Sequence, residues 1–122
     1  MENENRPSIS AFFPMYNDAG TVKLMVTKLK EVLSKLTDDF EIIMVNDCSP
    51  DNSGEIADSL AKEDERLKVI HHPKNRGYGG ALKSGFKNAT KDLIFYTDGD
   101  AQYDVYELKK LYPHINEYDV VN

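Results

Sequence analysis

The sequence contains little cysteine and no long hydrophobic run. Its 122 residues include a single Cys, Cys48, and no Trp. One cysteine excludes an internal disulfide and a cysteine-rich zinc site. No apolar run is longer than the four residues at 42–45, so no segment has the length of a transmembrane helix. The 15 Lys and Arg residues form no dense cluster and are outnumbered by 21 Asp and Glu residues, which argues against a protein that binds duplex nucleic acid.

The residues that are present have the composition of one folded domain. Hydrophobic residues make up 40% of the chain and charged residues 30%, with a net charge of −6. A chain of this length buries roughly two thirds of its unfolded surface, which is enough for a hydrophobic core. We predict a flexible N-terminus at residues 1–7 and a single domain at residues 8–122.

Apolar runs alternate with amphipathic helical patterns along the chain. The runs predict strands at 8–13, 40–45, 67–70, 93–96 and 118–121, and the patterns predict helices at 18–36, 53–63, 80–89 and 105–112. Pro14 is expected to end the first strand, because proline cannot donate to a ladder. Strands that alternate with helices over short connections pair in parallel. The predicted fold is a doubly wound α/β sheet, mainly parallel, with helices on both faces.

Polar residues follow the predicted strands, at the edge where such sheets bind ligands. They are Pro14, Tyr16, Asn17 and Asp18 after the first strand, Asn46 and Asp47 after the second, Asn75 and Arg76 after the third, and Asp98, Asp100 and Gln102 after the fourth. The carboxyl ends of parallel strands meet at one edge of the sheet. We therefore expect these groups to converge.

The most specific of these features is the segment Asp98-Gly99-Asp100-Ala101-Gln102. Two carboxylates two residues apart can bind one hard cation, and Gln102 offers a third oxygen. Oxygen ligands suit Mg²⁺ or Mn²⁺. The alternative is a solvated acidic turn that caps the next helix. The strand that precedes the segment and the other strand-end residues favour a site for a metal and a diphosphate.

Asp47 has two interpretations. It could accept a hydrogen bond from the N–H of a nucleobase, or it could form an Asx turn or a helix N-cap. Residues 51–53 are better placed to cap the second helix, which would free Asp47. Tyr16 could lay its ring near a base or a ribose.

The remaining polar groups carry weaker signals. The glycine-rich segment 75–80 could present N–H groups to an anion, but it matches neither the dinucleotide fingerprint nor the phosphate-binding loop. Arg76 in this segment either contacts a nucleotide or braces the loop. His71, His72 and His114 lack the spacing of a zinc site and are expected in loops or at the surface.

Four motifs stand in the order found in family 2 glycosyltransferases of the GT-A fold. They are residues 13–18, 45–51, 75–77 and 98–102. The resemblance covers nearly the whole chain, from about Ser8 to Val121. The Asp-x-Asp-x-Gln form and Pro50-Asp51 are most similar to the branch that transfers sugars to polyprenyl phosphates.

This resemblance implies roles for individual residues. Pro14, Tyr16, Asp18, Val45 and Asp47 match positions that line a nucleotide pocket, with Asp47 as the carboxylate that binds the base, and Arg76 is a further candidate. Thr97, Asp98, Gly99 and Asp100 match positions around the ribose and the diphosphate, and Asp98, Asp100 and Gln102 match ligands of Mg²⁺ or Mn²⁺. The chain departs from the family pattern with Asp18 in place of Glu, Asn46 in place of Asp and Cys48 in place of Gly. No catalytic base can be assigned.

The function that the resemblance implies is inverting transfer of a sugar from a nucleotide diphosphate sugar to a polyprenyl phosphate or a saccharide. The alternative is a nucleotide-sugar-binding module without turnover. Family members continue past this length, so we expect the donor-binding part of a longer protein, inactive by itself. Its location would be cytoplasmic, and membrane-associated in the full-length protein. An open sheet edge predicts a homodimer.

Overall fold

The computed structural model describes residues 6–16 and 19–97 and the backbone of residues 120–121. In chain order the elements are β1 (Ile9–Met15), α1 (Val22–Leu36), β2 (Phe40–Asn46), α2 (Ser53–Glu63), β3 (Leu67–His71), α3 (Gly77–Asn88), β4 (Leu93–Tyr96) and β5 (Val120–Val121). The helix predicted at 105–112 and residues 1–5 of the predicted flexible terminus lie outside the described residues.

The strands form one sheet in the order β3-β2-β1-β4-β5, and all four neighbouring pairs are parallel. The chain first builds outward from β1 to β3 and then crosses back to add β4 and β5 on the other side of β1. The predicted parallel α/β sheet is confirmed. Its order reverses between β1 and β4, where open sheets of this kind form a crevice for ligands. The homodimer through an open edge stays a prediction.

Helices cover both faces of the sheet, as predicted. Alternate strand residues point to opposite faces. On one face Ala11 and Phe13 pack in a large core with α1 and α2, and on the other face Phe12 and Ile43 pack with α3. The two faces therefore have separate cores, and α3 alone covers the second one among the helices described.

The amphipathic stripe predicted for α1 is confirmed residue by residue. Its buried residues are Val22, Met25, Val26, Leu29, Val32, Leu33 and Leu36. Spacings of three and four place these side chains on one side of the helix. No described helix has the length and apolar character that a membrane span requires.

Pro14 does not end β1, contrary to the prediction. Residues of a parallel strand bond alternately to the two neighbouring strands. The carbonyl oxygen of Met15 accepts the N–H of Asp47 on the β2 side (3.1 Å). The carbonyl oxygen of Phe12 accepts the N–H of Thr97 on the β4 side (3.2 Å). Pro14 therefore faces β4 beyond the last paired residue of that strand, where no ladder bond is lost.

Glu41, near the amino end of β2, is a buried carboxylate inside a strand whose other residues are nearly all apolar. It is 2% exposed. Its Oε2 accepts hydrogen bonds from Ser10 Oγ (2.6 Å) and from the N–H and Oγ1 of Thr90 (2.8 and 2.9 Å). Lys68 Nζ donates to Oε1. The carboxylate joins β1, β2, β3 and the segment after α3.

This network predicts a dependence of stability on pH. Burial by itself would raise the pKa of Glu41, but the hydrogen bonds from Lys68, Ser10 and Thr90 outweigh it and lower the pKa from 4.5 to about 2. A carboxylate with a lowered pKa in the folded state stabilises the fold above its unfolded pKa. That stability is lost as the pH falls from 4.5 towards 2.

Denaturant unfolding across this pH range measures the effect. In Glu41→Gln, the slope of unfolding free energy against pH should decrease by up to about 1.4 kcal/mol per pH unit, the value for one proton. Glu65→Gln, at an exposed residue, is the matched control and should keep the slope of the unchanged protein. Equal slopes in all three proteins would contradict the role of Glu41.

Candidate functional site

Asp47 lies one residue beyond β2, at the carboxyl edge of the sheet. It is 4% exposed. Its Oδ1 accepts hydrogen bonds from His72 Nδ1 (2.8 Å) and from the N–H of Arg76 (2.7 Å). Its Oδ2 accepts the N–H of Gly77 (3.0 Å). The carboxylate thus caps the N-terminus of α3 from a strand about 30 residues earlier.

These contacts keep Asp47 ionised. Burial raises its pKa, but the hydrogen bonds from His72 and from the N–H groups of Arg76 and Gly77 outweigh it, so the pKa of the carboxyl lies below its usual range. The positive end of the α3 dipole also favours a negative charge at this place. The edge of the sheet therefore holds a fixed negative charge in a nearly water-free position.

Because of this cap, α3 starts earlier in the chain than predicted. The helix begins at Gly77 rather than at the predicted residue 80, so the glycine-rich segment forms its first turn. Gly77 has a φ of +78°, which is accessible to glycine without strain. Its N–H is shared between Asp47 and Asn75 Oδ1 (2.8 Å). A helix start fixed by a distant carboxylate has no signature in the local sequence.

His72 lies in the loop after β3, which agrees with the expectation of a loop or the surface, but its side chain is buried at the site. The residue is 5% exposed, and its Nε2 lies 2.7 Å from Ser84 Oγ in α3. An ionised carboxylate only accepts, so the Nδ1 that faces Asp47 carries the proton. The strand-end rule would have found this residue, because His72 directly follows β3.

A second group of contacts shapes the turn after β2. Asn46 Oδ1 accepts the N–H of Ser49 (3.0 Å), and its amide nitrogen lies 2.9 Å from His71 Nδ1. That ring nitrogen must therefore accept, and Nε2 donates to Asp58 in α2 (2.9 Å). Asn46, at a position where the resemblance implies Asp, thus pairs with the His71 ring.

Asp51 caps α2, as predicted for residues 51–53. Its Oδ1 accepts the N–H of Ser53 (3.1 Å), and its Oδ2 accepts the N–H of Ala19 (2.9 Å). Burial raises the pKa of Asp51, but hydrogen bonds from Ser49, Ser53 and Ala19 hold it well below its usual range. Asp51 thereby ties the segment after β1 to the segment after β2.

Cys48 has a positive φ of 57°, in the left-handed region. Side chains with a Cβ are strained there, by roughly 1 kcal/mol or more. The turn therefore demands the conformation that glycine adopts most easily, in agreement with the Gly that the resemblance implies at this position. Cys48 is exposed, and its Sγ lies 3.8 Å from the carbonyl oxygen of Pro73.

The other described candidates lie at the same edge. Pro14 and Val45 are partners in the β1–β2 register, and Tyr16 follows β1 with 50% of its surface exposed. Thr97 follows β4 and is 2% exposed. Its Oγ1 is a buried side-chain oxygen without a hydrogen-bond partner among the described residues. The predicted convergence thus holds for the ends of β1, β2, β3 and β4.

The remaining candidates fall on residues that the structure does not describe. They are Asp18, Asp98, Gly99, Asp100 and Gln102. Within residues 6–16 and 19–97, no group of three His, Cys, Asp or Glu side chains could hold a metal ion. The metal ligands predicted at 98, 100 and 102 stay a prediction.

Comparison with known proteins identifies the family. The family model described as Glycosyl transferase family 2 matches residues 10–122. The chain belongs to this family of glycosyltransferases. The resemblance carried by its four motifs is confirmed, and so is the glycosyltransferase fold expected from it.

One relative agrees with the family assignment, and two solved structures agree with the fold. The chain is 34% identical over 123 residues to the undecaprenyl-phosphate 4-deoxy-4-formamido-L-arabinose transferase of Yersinia enterocolitica, which covers 98% of the chain and 37% of that protein. The structure of S. aureus TarS 1-349 in complex with UDP-GlcNAc has a TM-score of 0.70 at 26% identity, over 90% of this chain and 31% of that one. A mannosyltransferase from Pyrobaculum calidifontis, solved with GDP-Man and Mn²⁺, has a TM-score of 0.72 at 23% identity. The match covers 84% of this chain and 30% of that one.

The matched region is a fraction of these glycosyltransferases. The chain spans between 18% and 37% of the length of the curated relatives that it matches. The family and the fold are therefore established for this domain, and the activity of a whole transferase is a proposal.

Proposed function

We propose that this domain binds the nucleotide diphosphate sugar donor of a glycosyltransferase at the carboxyl edge of its sheet. The observation that carries the proposal is Asp47, a buried and ionised carboxylate at the end of β2, next to the end of β1 where the strand order reverses. Such a carboxylate can accept an N–H from a nucleobase. Thr97 adds a buried hydroxyl at the end of β4 that has no hydrogen-bond partner among the described residues and could bind a polar group of a ligand.

Asp98, Asp100 and Gln102 would hold a divalent metal next to Thr97. Their donor set consists of oxygens only, which fits Mg²⁺ or Mn²⁺. A bound ion of this kind offsets the negative charge of a diphosphate leaving group. The chain's own contribution is to orient the nucleoside through Asp47 and the ends of β1 and β4.

The acceptor that we propose is a polyprenyl phosphate, reached by an inverting displacement at the anomeric carbon. Its support is the name of the Yersinia relative, which describes transfer to undecaprenyl phosphate. A phosphate oxygen is already anionic and needs little help from a general base, whereas a sugar hydroxyl would need one. The same domain could also serve as a binding module without turnover.

Calorimetric titration with UDP and GDP, each with and without Mn²⁺, tests this function. We expect binding that depends on the metal and that Asp100→Ala weakens by about a hundredfold or more, since a carboxylate ligand is lost. Asp92→Ala, at an exposed residue before β4, is the matched control and should bind normally. Failure of the folded protein to bind either nucleotide would contradict the proposal. Binding without transfer to undecaprenyl phosphate would favour the binding module.

A further inference from the structure

We propose that the outer face of α3 is a docking surface for an anionic lipid membrane. The observation behind this proposal is a bias of charge along the chain. Residues 66–91 contain seven Lys and Arg residues and no Asp or Glu. The rest of the chain has eight Lys and Arg residues against all 21 Asp and Glu residues, so a positively charged segment lies inside an acidic protein. A charge asymmetry of this kind indicates a partner with negative charge.

The positive charge of this segment is concentrated on α3 and on the loop before it. Arg66, Lys68 and Lys91 form ion pairs with carboxylates. The other four cations are exposed, and their side chains form no ion pair within the part of the chain that the structure describes. They are Lys74, Arg76, Lys83 and Lys87. These four are therefore available to an outside partner.

Three of the available cations lie on one line along α3. A Cβ at Gly80 would lie 2.5 Å from Cβ and 3.6 Å from Cδ of Arg76, so the Arg76 side chain lies along the first turn of the helix. Lys83 and Lys87 follow Gly80 at spacings of three and four residues, which keeps them on the same side of the helix. We call Arg76, Lys83 and Lys87 the basic stripe. At 1.5 Å per residue it extends over roughly 16 Å.

The basic stripe lies opposite the side of α3 that packs on the sheet. The buried residues of the helix are Ala81 and Gly85. With 3.6 residues per turn, these two residues lie on the other side of the helix from Lys83 and Lys87. The stripe begins at Arg76, whose N–H binds Asp47 at the carboxyl edge of the sheet. A membrane that lies along the stripe would therefore be next to the proposed donor site.

The basic stripe does not stabilise the helix that carries it. Two cations four residues apart, such as Lys83 and Lys87, repel each other on a helix. Arg76 lies at the N-terminus of α3, where the helix dipole disfavours a positive charge. In α1, by contrast, Lys35 pairs with Glu31 four residues earlier (4.0 Å). A partner with negative charge would relieve the repulsion within the stripe, which favours a role in binding.

A lipid membrane fits this surface better than a nucleic acid does. Domains that bind nucleic acid typically have a pI above about 9. This chain has a pI of about 5.0. Groups of four or more Lys and Arg residues on a helix are typical of surfaces that bind anionic lipids. The choice of a membrane also rests on the proposed function, because a polyprenyl phosphate is a lipid.

Co-flotation with lipid vesicles at low ionic strength tests the inference, because salt screens contacts of this kind. One set of vesicles is an equal mixture of phosphatidylcholine and phosphatidylglycerol, and the neutral reference is phosphatidylcholine alone. We expect the protein to bind the mixed vesicles and not the neutral ones. Lys83→Gln/Lys87→Gln should bind the mixed vesicles roughly twentyfold to thirtyfold more weakly, because each cation at an anionic surface strengthens binding about fivefold. Lys83→Arg/Lys87→Arg keeps both charges and should keep the binding.

Lys23→Gln/Lys35→Gln is the matched control. It removes the same charge from two exposed residues of α1, which packs on the other face of the sheet. This variant should bind the mixed vesicles as the unchanged protein does. Equal weakening by the two Lys→Gln double variants would mean that net charge alone governs binding, and it would overturn the role of the basic stripe.

The inference and the proposed function can fail separately, because vesicle binding needs no nucleotide. Failure of the unchanged protein to bind the mixed vesicles would overturn the membrane surface and leave the result of the nucleotide titration standing. Tighter binding to a short DNA duplex than to the mixed vesicles would overturn the choice of a membrane as the partner. Binding to the mixed vesicles through the basic stripe by a protein that binds neither UDP nor GDP would support the surface and contradict the proposed function.

Discussion

Gly85→Ala should destabilise the fold by about 2–3 kcal/mol, the cost of forcing extra volume into a packed core. A Cβ at Gly85 would lie 2.1 Å from Cδ1 and 2.2 Å from Cε1 of Phe12. Phe12 is fully buried in the centre of the sheet and cannot yield. Its ring contacts Phe86 and Tyr96, with centroid distances of 5.0 and 5.7 Å. Helix α3 would have to move away from β1.

Denaturant unfolding of two matched variants measures this cost. Gly79 lies in the same helix, but a Cβ there would meet no atom within 4 Å. Gly79→Ala should stabilise α3 by about 0.5–1 kcal/mol, because alanine has the higher helix propensity. An equal effect of the two substitutions would contradict the close packing of α3 on β1.

Asp47→Ala should remove nucleotide binding and destabilise the protein by about 3 kcal/mol or more, because each buried donor left without its acceptor costs about 1–3 kcal/mol. The substitution leaves the buried His72 without its acceptor at Nδ1. It also removes the acceptor of the Arg76 and Gly77 N–H groups at the start of α3. Unfolding measures the stability, and titration with UDP and Mn²⁺ measures the binding.

Asp58→Ala is the matched control for this substitution. The Asp58 side chain is 52% exposed and has one hydrogen bond, to His71. Its loss should cost less than about 1 kcal/mol, as for other exposed pairs. If Asp47→Ala does not fold, the binding measurement uses Asp47→Asn. Asparagine keeps the shape of the aspartate side chain and one acceptor oxygen. A folded Asp47→Asn that binds UDP as tightly as the unchanged protein would contradict the role of the charge.

The stripe of α1 and the strand β2 could be predicted because their signals are local. Spacings of three and four put the buried residues of α1 on one side whatever the helix packs against. Short connections between strands and helices limit the sheet to parallel pairing. That topology alone brings Val45, Asp47 and Thr97 to one edge. The location of the candidate site at this edge of the sheet could therefore be predicted from the order of apolar and polar residues.

The partners at that edge were decided by the tertiary structure. Asp47 binds donors that lie 25 to 30 residues away, and its neighbour His72 is buried because α3 covers it. Pro14 fits inside β1 only because β4 has already ended beside it. The sequence by itself determined the fold class, the family and the residue types at the strand ends, since these depend on local patterns. Only the tertiary structure decided which groups donate hydrogen bonds to Asp47, because that depends on the register of β2 and β3 and on where α3 begins.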